Sequence, residues 1–200
     1  GYAAGLKEGV NEDAESREFY CEVIMDEASK MNQMVKNLLT LNQLEFGDED
    51  IVFDRFNLTA LVRGVLQSME IMADQAGAKI FLHTEEDIYA WADEFKVEQV
   101  VKNYVSNACH HVSGDMVIEV KMVQKDGKVR VSVFNTGTPI PEADIVHIWD
   151  KFYKVDNAHT REYGGNGISI VKAIMKSFHQ EYGVKNYDNG VEFWFELDVQ

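Results

Sequence analysis

The sequence predicts an α+β chain: the remnant of a helical hairpin, followed by a two-layer α/β sandwich whose mixed sheet carries helices on one face. Three observations lead there. A helical pattern without Gly or Pro runs from Ser16 to about Glu45. Helix and strand signals then alternate through the rest of the chain. Among them, "MVIEVKMVQKDGKVRVSVFN" alternates apolar and polar residues on both sides of "KDG", the mark of an antiparallel hairpin. Helices in one group and antiparallel strands in another suit one layer of each.

Taken in order, Gly1 to Gly9 reads as the end of a helix and "VNEDAES" as a connecting turn. The helix from Ser16 is therefore expected to have lost most of its antiparallel partner, through a cut within a longer protein. Along it Cys21, Ile24, Ala28, Met31, Val35 and Leu38 follow a four-three spacing, the seam of a coiled coil or bundle. Met34, Leu41 and Leu44 widen that stripe. Its methionines would suit an adaptable groove, but filling a bundle core is the simpler reading. "FGDEDIVFDRFN" ends the pattern, so residues 47–56 read as a linker between a hairpin unit at 1–46 and a second unit at 57–200. Leu58 to Gln75 reads as an amphipathic helix capped by Asn57 or Thr59. "KIFLHT" and "IYAWAD" are short strands, and Glu94 to Val112 is a helix. After the hairpin come a short helix from Glu142 to Tyr153 and another from Ile168 to Phe178. "YDNG" then turns the chain into a terminal strand, "GVEFWFELDV".

Composition narrows the function classes. With 200 residues there is room for one large domain or two small ones. The net charge of −15 argues against broad nucleic-acid binding, which needs clustered Lys and Arg. Any phosphate site must be a local exception to that field. Cys21 and Cys109 have neither metal-ligand spacing nor disulfide density, and both read as buried thiols in a reducing compartment. No apolar run reaches membrane-spanning length.

The stretch "EQVVKNYVSNACHHV" carries the first chemical signal. Asn103 and Asn107 stand at i and i+4, with His110 and His111 a turn further along the same side. Asparagine is a poor helix former because its amide competes for backbone groups. Its oxygen suits a hard cation and its N–H groups suit phosphate; Mg²⁺ takes few protein ligands and keeps water and substrate phosphates. The adjacent histidines suggest zinc, but no HExxH pattern or Cys partner accompanies them. Alone, the pair reads as a cap network or a solvated face. Two further stretches stand beside it. "FNTGTPIPEADIVHIWDKFYKV" leaves a strand through Asn135 and Gly137 and holds both prolines of the chain, Pro139 and Pro141, making a stiff loop at a strand end. "DNAHTREYGGNGISIVKAIM" is a polar, Gly-rich stretch running into an amphipathic helix, whose N-terminal N–H groups and dipole attract phosphate.

Together these stretches resemble the cytoplasmic part of a two-component sensor histidine kinase, of the broad class that includes vancomycin-resistance and related Gram-positive sensors. The resemblance covers nearly the whole chain. "EQVVKNYVSNACHHV" is similar to the family's asparagine box, "VSVFNTGTPIP" to its first glycine box, "IWDKFYKVD" to its phenylalanine box and "GGNGISIVKAIM" to its second glycine box. "VIMDEASKMNQMVKNLLTLNQLE" resembles the second helix of the dimerisation and phosphotransfer hairpin. The resemblance implies the ATP-binding fold shared with gyrase, heat-shock chaperone and mismatch-repair ATPases. It implies ATP and Mg²⁺ as cofactors, with Asn107 and Asn103 meeting the metal and the phosphates. His110 falls where the family has a basic residue near the phosphates, and His111 where it has an aromatic ring. Asn135 takes the place of an adenine-reading aspartate, and its amide oxygen can still accept from the adenine amino group. Gly137 lets the backbone turn under the base. Phe152 anchors a lid, Lys154 and Arg161 are phosphate contacts, and Gly165 and Gly167 flank the phosphate loop.

The sequence departs from the family pattern in three places. The acceptor histidine belongs upstream of Gly1, and none of the six histidines has a matching context. Asn135 replaces the aspartate. "GGNGISIVK" is two residues short in the second glycine box, one of them a glycine. The implied function is transfer of the γ-phosphoryl group of ATP to that upstream histidine, in a cytoplasmic fragment. Its partners would be a second copy through the hairpin and a response regulator, with a membrane reached only through upstream segments. The alternatives are a nucleotide-binding or dimerising module without catalysis, and an ATPase or serine-directed kinase on the same fold.

Overall fold

The computed structural model describes residues 14–46, 51–84, 87–150 and 167–199. The chain divides into two units, Gly1–Thr40 and Leu41–Gln200. Helix α1 spans Ala14–Phe46, two residues longer at its start than the Gly-free and Pro-free run suggests. Its apolar stripe faces solvent: Met31 is 68% exposed and Val35 55%. Cys21 is exposed as well, against the expectation of a buried thiol, because it lies on that same open stripe; Cys109 is buried. Gly1 to Asp13 and the side chains of Met34, Leu41 and Leu44 lie outside the described residues.

The described residues of the second unit form a seven-stranded sheet with helices on it. Its strands are β1 (Asp54–Asn57), β2 (Lys79–His83), β3 (Tyr89–Ala92), β4 (Val117–Lys125), β5 (Lys128–Thr136), β6 (Tyr182–Tyr187) and β7 (Gly190–Val199). The order is β1-β3-β7-β5-β4-β2, with β6 also paired to β7. β2 and β4 run parallel and the other pairs antiparallel, so the sheet is mixed. The β4–β5 hairpin turns at Asp126 and Gly127, both in the left-handed region (φ 51° and 76°). A two-residue loop with positive φ at both positions matches the right-handed twist of the strands it joins.

Among the described residues, four helices cover one face: α2 (Leu58–Ser68), α3 (Glu70–Ala76), α4 (Glu94–His111) and α5 (Gly167–Ser177). Alternation along the strands aims Ile118, Val120, Val131, Val133, Phe193 and Phe195 at them, and all six are buried. Tyr104 of α4 is the largest fully buried side chain, its ring 5.4 Å from that of Phe193 and its hydroxyl donating to the Trp194 carbonyl at 3.2 Å. Removing such a ring costs about 3–5 kcal/mol, so α4 is pinned to the middle of the sheet.

Three expectations need correction, one open choice is settled and one strand is added. The single helix from Leu58 to Gln75 is two helices, broken at Met69 (φ −106°, ψ 4°), where the Ser68 hydroxyl donates to the Val65 carbonyl at 2.7 Å. Asn57 is the cap, accepting from the Ala60 N–H at 2.8 Å, while Thr59 is buried and accepts from the Ile88 N–H at 3.0 Å. Residues 54–57, inside the stretch read as a linker, form β1, because Phe56 has a buried place opposite Ala90. The described part of the helix expected from Glu142 to Tyr153 is a chain of tight turns, with the Asp144 N–H bonded to Pro141 and the His147 N–H to Asp144. β6 has no counterpart among the expected strands: Gly183 and the polar Lys185 and Asn186 mask its pattern.

Candidate functional site

Asp93 starts α4. One carboxylate oxygen accepts from the Lys96 N–H at 3.1 Å and the other from the Val52 N–H at 3.2 Å, so the cap also fixes the chain that enters the unit. Along α4 the buried residues Val97, Val100, Val101, Tyr104, Val105 and Ala108 face the sheet. Gln99, Asn103, Ser106 and Asn107 are half-buried on the other side, and His110 continues their stripe into solvent.

Each polar residue on this stripe has a distinct state. The Asn103 amide donates to the Gln99 carbonyl one turn back, at 2.8 Å. The Asn107 amide nitrogen is buried and has no hydrogen-bond partner among the described residues. Such a group costs about 1–3 kcal/mol, so a buried orphan in a native fold calls for a reason. His110 Nδ1 stands 2.6 Å from the Ser106 carbonyl. A carbonyl only accepts, so Nδ1 is the donor in this contact. The structure separates the two histidines that the helical spacing put together. His111 turns inward and is buried, and burial, with the charge of His110 second, pushes its pKa down to about 3.

Two glycines press against α4, one toward each end of this stripe. A Cβ on Gly167, the first residue of α5, would stand 2.6 Å from Asn103 Oδ1. A Cβ on Gly137 would stand 2.7 Å from the His111 carbonyl oxygen, and Gly137 itself holds φ +154°. Asn103 and His111 are eight residues apart, or about 12 Å along a helix, and Asn107 lies midway. The structure thus brings Asn103, Asn107, His110, His111, Asn135, Gly137 and Gly167 to one region around α4. Phe152, Lys154, Arg161 and Gly165 lie outside the described residues.

Asn135 is the last residue but one of β5 and is buried, its amide nitrogen donating to the Thr136 carbonyl at 3.2 Å. That bond fixes which end of the amide is the nitrogen and leaves the oxygen as the end free to accept. The loop after it is tied down by residues that sequence patterns did not single out. Gly137 N–H donates to the Asn189 carbonyl at 3.0 Å, and the Asn186 side chain bonds both polar backbone groups of Ile140. The "YDNG" turn was legible in the sequence; the strand and the asparagine before it were not. Further on, Trp149 packs edge-on to Tyr182 with ring centroids 4.8 Å apart. Asp150 accepts from His147 and pairs with Lys172 of α5 at 3.6 Å, and these contacts hold its carboxyl below the usual range, the His147 bond most of all.

No group of three or more His, Cys, Asp or Glu side chains among the described residues could hold a metal ion. A cation here would instead be met by asparagine amide oxygens and by the oxygens of a bound phosphate, a donor set that suits Mg²⁺ and not zinc. The orphan is a nitrogen, so the buried Asn107 N–H suits a phosphate oxygen and only the amide oxygen would meet a cation, while the two glycine contacts mark backbone that a side chain would block.

Comparison with known proteins agrees with this geometry. Residues 92–200 match the family described as histidine kinase-, DNA gyrase B- and HSP90-like ATPase. The chain is 27% identical to the sensor histidine kinase WalK of Bacillus subtilis, over 96% of this chain and 31% of that protein. The sensor protein kinase WalK of Staphylococcus saprophyticus is also 27% identical, over the same shares. The chain therefore spans about a third of the length of the curated relatives it matches. Among solved structures, the nucleotide-free catalytic domain of the histidine kinase ThkA is 32% identical with a TM-score of 0.64, over 74% of this chain and 95% of that one. ThkA in complex with the response regulator protein TrrA superposes with a TM-score of 0.80 at 27% identity, over 100% of this chain and 57% of that one. A match across more than half the residues, on a mixed sheet with helices on one face, makes this chain a member of the histidine kinase-, DNA gyrase B- and HSP90-like ATPase family.

Proposed function

We propose that this chain binds ATP with Mg²⁺ and delivers the γ-phosphoryl group to a histidine carried on a helix that precedes residue 1. The observation that carries this reading is the buried, unpartnered amide of Asn107, midway between the Gly167 and Gly137 contacts on α4. Phosphoryl transfer needs positioning and charge neutralisation more than a protein nucleophile, and these residues offer both. Asn107 and Asn103 would hold the metal and the phosphates, His110 would lie beside them, and Asn135 and Gly137 would hold the adenine. Bound Mg²⁺ would neutralise charge on the phosphate oxygens. His111, kept neutral by burial, packs the carbonyl end of α4 against the glycine loop and adds no charge there. Phe152, Lys154, Arg161 and Gly165 complete the proposed set from the sequence.

The wider context is part of the same proposal. α1 is the second helix of a dimerising hairpin, so the working form is a homodimer. The partner is a response regulator, as the ThkA–TrrA complex supports. No described helix is long and apolar enough to cross a membrane, and the unit works on the cytoplasmic side, tethered only through preceding segments. The boundaries that go with this are a hairpin at 1–46 and a nucleotide-binding unit at 57–200, whose first strand β1 reaches back into the connection at 47–56.

Asn107→Ala tests the reading. It should weaken ATP binding at least tenfold with Mg²⁺ present and change adenosine binding little. Equal losses for both ligands would make Asn107 a structural residue. A second reading is favoured by the two-residue shortening of "GGNGISIVK": nucleotide binding without transfer. Binding of ATP with no label passed to a supplied hairpin that carries the acceptor would select it.

A further inference from the structure

The loop from Gly137 to Pro141 is unusual in how little it can brace itself. Pro139 and Pro141 have no N–H, so between them only Ile140 offers a backbone donor. That donor is given to Asn186 of β6: the Ile140 N–H donates to Asn186 Oδ1 at 3.0 Å. Asn186 Nδ2 in turn donates to the Ile140 carbonyl at 2.7 Å. One side-chain amide thus meets both polar groups of one residue, as a neighbouring strand would. The next turn of chain confirms where the loop is anchored. Gly137 N–H is bonded to the Asn189 carbonyl, and Gly190 sits so close to the Asn135 carbonyl that a Cβ there would overlap it. Asn186 and Tyr182 lie four residues apart on one side of β6, and Tyr182 carries the Trp149 contact that holds the turns beyond Pro141. Segment 137–149 is therefore seated on β6, rather than simply emerging from β5.

We infer that Asn186 is a positioning residue for the purine end of the nucleotide site, setting the path of the Gly137–Pro141 loop through its paired hydrogen bonds to Ile140. This rests on the nucleotide-binding reading above and adds a residue to it that touches no ligand. The consequence is specific. Asn186 shapes the wall beside Asn135 and Gly137, near the Gly137 end of α4. The phosphate end, marked by Gly167 and Asn103, is braced by other contacts. Loss of Asn186 should cost adenosine, ADP and ATP the same factor, whereas loss of Asn107 should fall on the phosphates.

The test uses the full chain, with adenosine and Mg·ADP as calorimetric probes. Asn186→Leu keeps the bulk and removes both bonds; it should weaken both probes by a similar factor, about tenfold. Asn186→Asp adds a readout that a merely structural role would not move. As a carboxylate it can accept from the Ile140 N–H but faces the Ile140 carbonyl with a lone pair. As a carboxylic acid it can also donate to that carbonyl and so restore the pair. Adenosine affinity of Asn186→Asp should therefore be weak at about pH 8 and recover toward wild type as pH falls to about 4, the ordinary range of an aspartic carboxyl, where wild type shows no such gain. Wild-type affinities in Asn186→Leu would overturn the positioning role and leave the nucleotide site standing. So would a loss confined to ADP. If Asn186→Leu does not fold, the pH series on Asn186→Asp decides: recovery supports the inference and a flat profile overturns it. Failure of the wild-type chain to bind either probe would remove the nucleotide site itself, and this inference with it.

Discussion

Asn103 Oδ1 stands 2.6 Å from the point where a Cβ on Gly167 would be. The glycine that opens α5 and the asparagine on α4 therefore share one space. Gly167→Ala must displace Asn103, and the displaced group is the end of a rotatable side chain rather than backbone. Ala is also the better helix former, by up to about 1 kcal/mol. These effects oppose each other in the fold, so stability should change by less than about 1 kcal/mol. ATP·Mg²⁺ binding should nevertheless fall, because the Asn103 amide is turned away and its bond to Gln99 is broken. Denaturant melts beside nucleotide titrations check this; unchanged ATP affinity in Gly167→Ala would remove Asn103 from the phosphate site.

Asn107 offers the opposite separation of stability and binding. Among the described residues its buried nitrogen has no partner, and asparagine is the weaker helix former. Asn107→Ala should therefore leave the ligand-free protein as stable as wild type, or more stable by about 1 kcal/mol. The same change removes most of the stabilisation that added ATP·Mg²⁺ provides. A clear drop in ligand-free stability would show that the amide has a structural partner after all.

His111 makes stability fall on the acid side. Burial holds it neutral in the fold down to about 3, while the unfolded chain takes up the proton near the ordinary value of 6.5. Below that ordinary value the unfolded state binds more protons. Stability is therefore intact above about pH 6.5 and is lost as pH falls toward about 3, by up to about 1.4 kcal/mol per pH unit. His111→Phe removes the titrating group and keeps a ring in the space. The stability difference between wild type and His111→Phe should shift in favour of the variant between about pH 7 and about pH 5. A difference independent of pH would mean that His111 titrates normally.

The exposed stripe on α1 should drive self-association. Apolar surface left in water costs about 25 cal/mol per Å², and Met31, Val35 and Leu38 lie open along one side. Sedimentation of the full chain should show a dimer at micromolar concentration, and Val35→Asp should shift it to monomer. A wild-type monomer at the highest soluble concentration would sink this expectation.

What could be read from the sequence followed from how local each signal was. The hairpin at Asp126–Gly127 and the cap at Asn57 are decided within four residues, and both stand as expected. β1 and β6 were hidden because neither alternates clearly by itself: Phe56 needs Ala90 opposite it, and Asn186 needs Val191. The break at Met69 was invisible for a related reason, since the apolar stripe continues across it and Met69 is itself buried. In the site, Asn107 and Gly137 were legible as types at a spacing. That His110 and His111 part company, one exposed and one buried, depends on the end of α4 meeting the glycine loop. Asn186 was illegible because its work is done on a residue 46 positions away.

β7 follows every other strand in sequence yet lies in the interior of the sheet, with β5 on one side and β3 and β6 on the other. On a ribosome the pairs β1–β3 and β5–β4–β2 can form early, but they have no shared edge until Gly190–Val199 emerges. From the emergence of β5 until that of β7 the nascent chain therefore exposes two unjoined sheet edges, and chaperones or aggregation can reach both. The final joining is long in sequence and slow for that reason. A chain that stopped between Tyr187 and Gly190 would be left with two half-sheets and nothing between them.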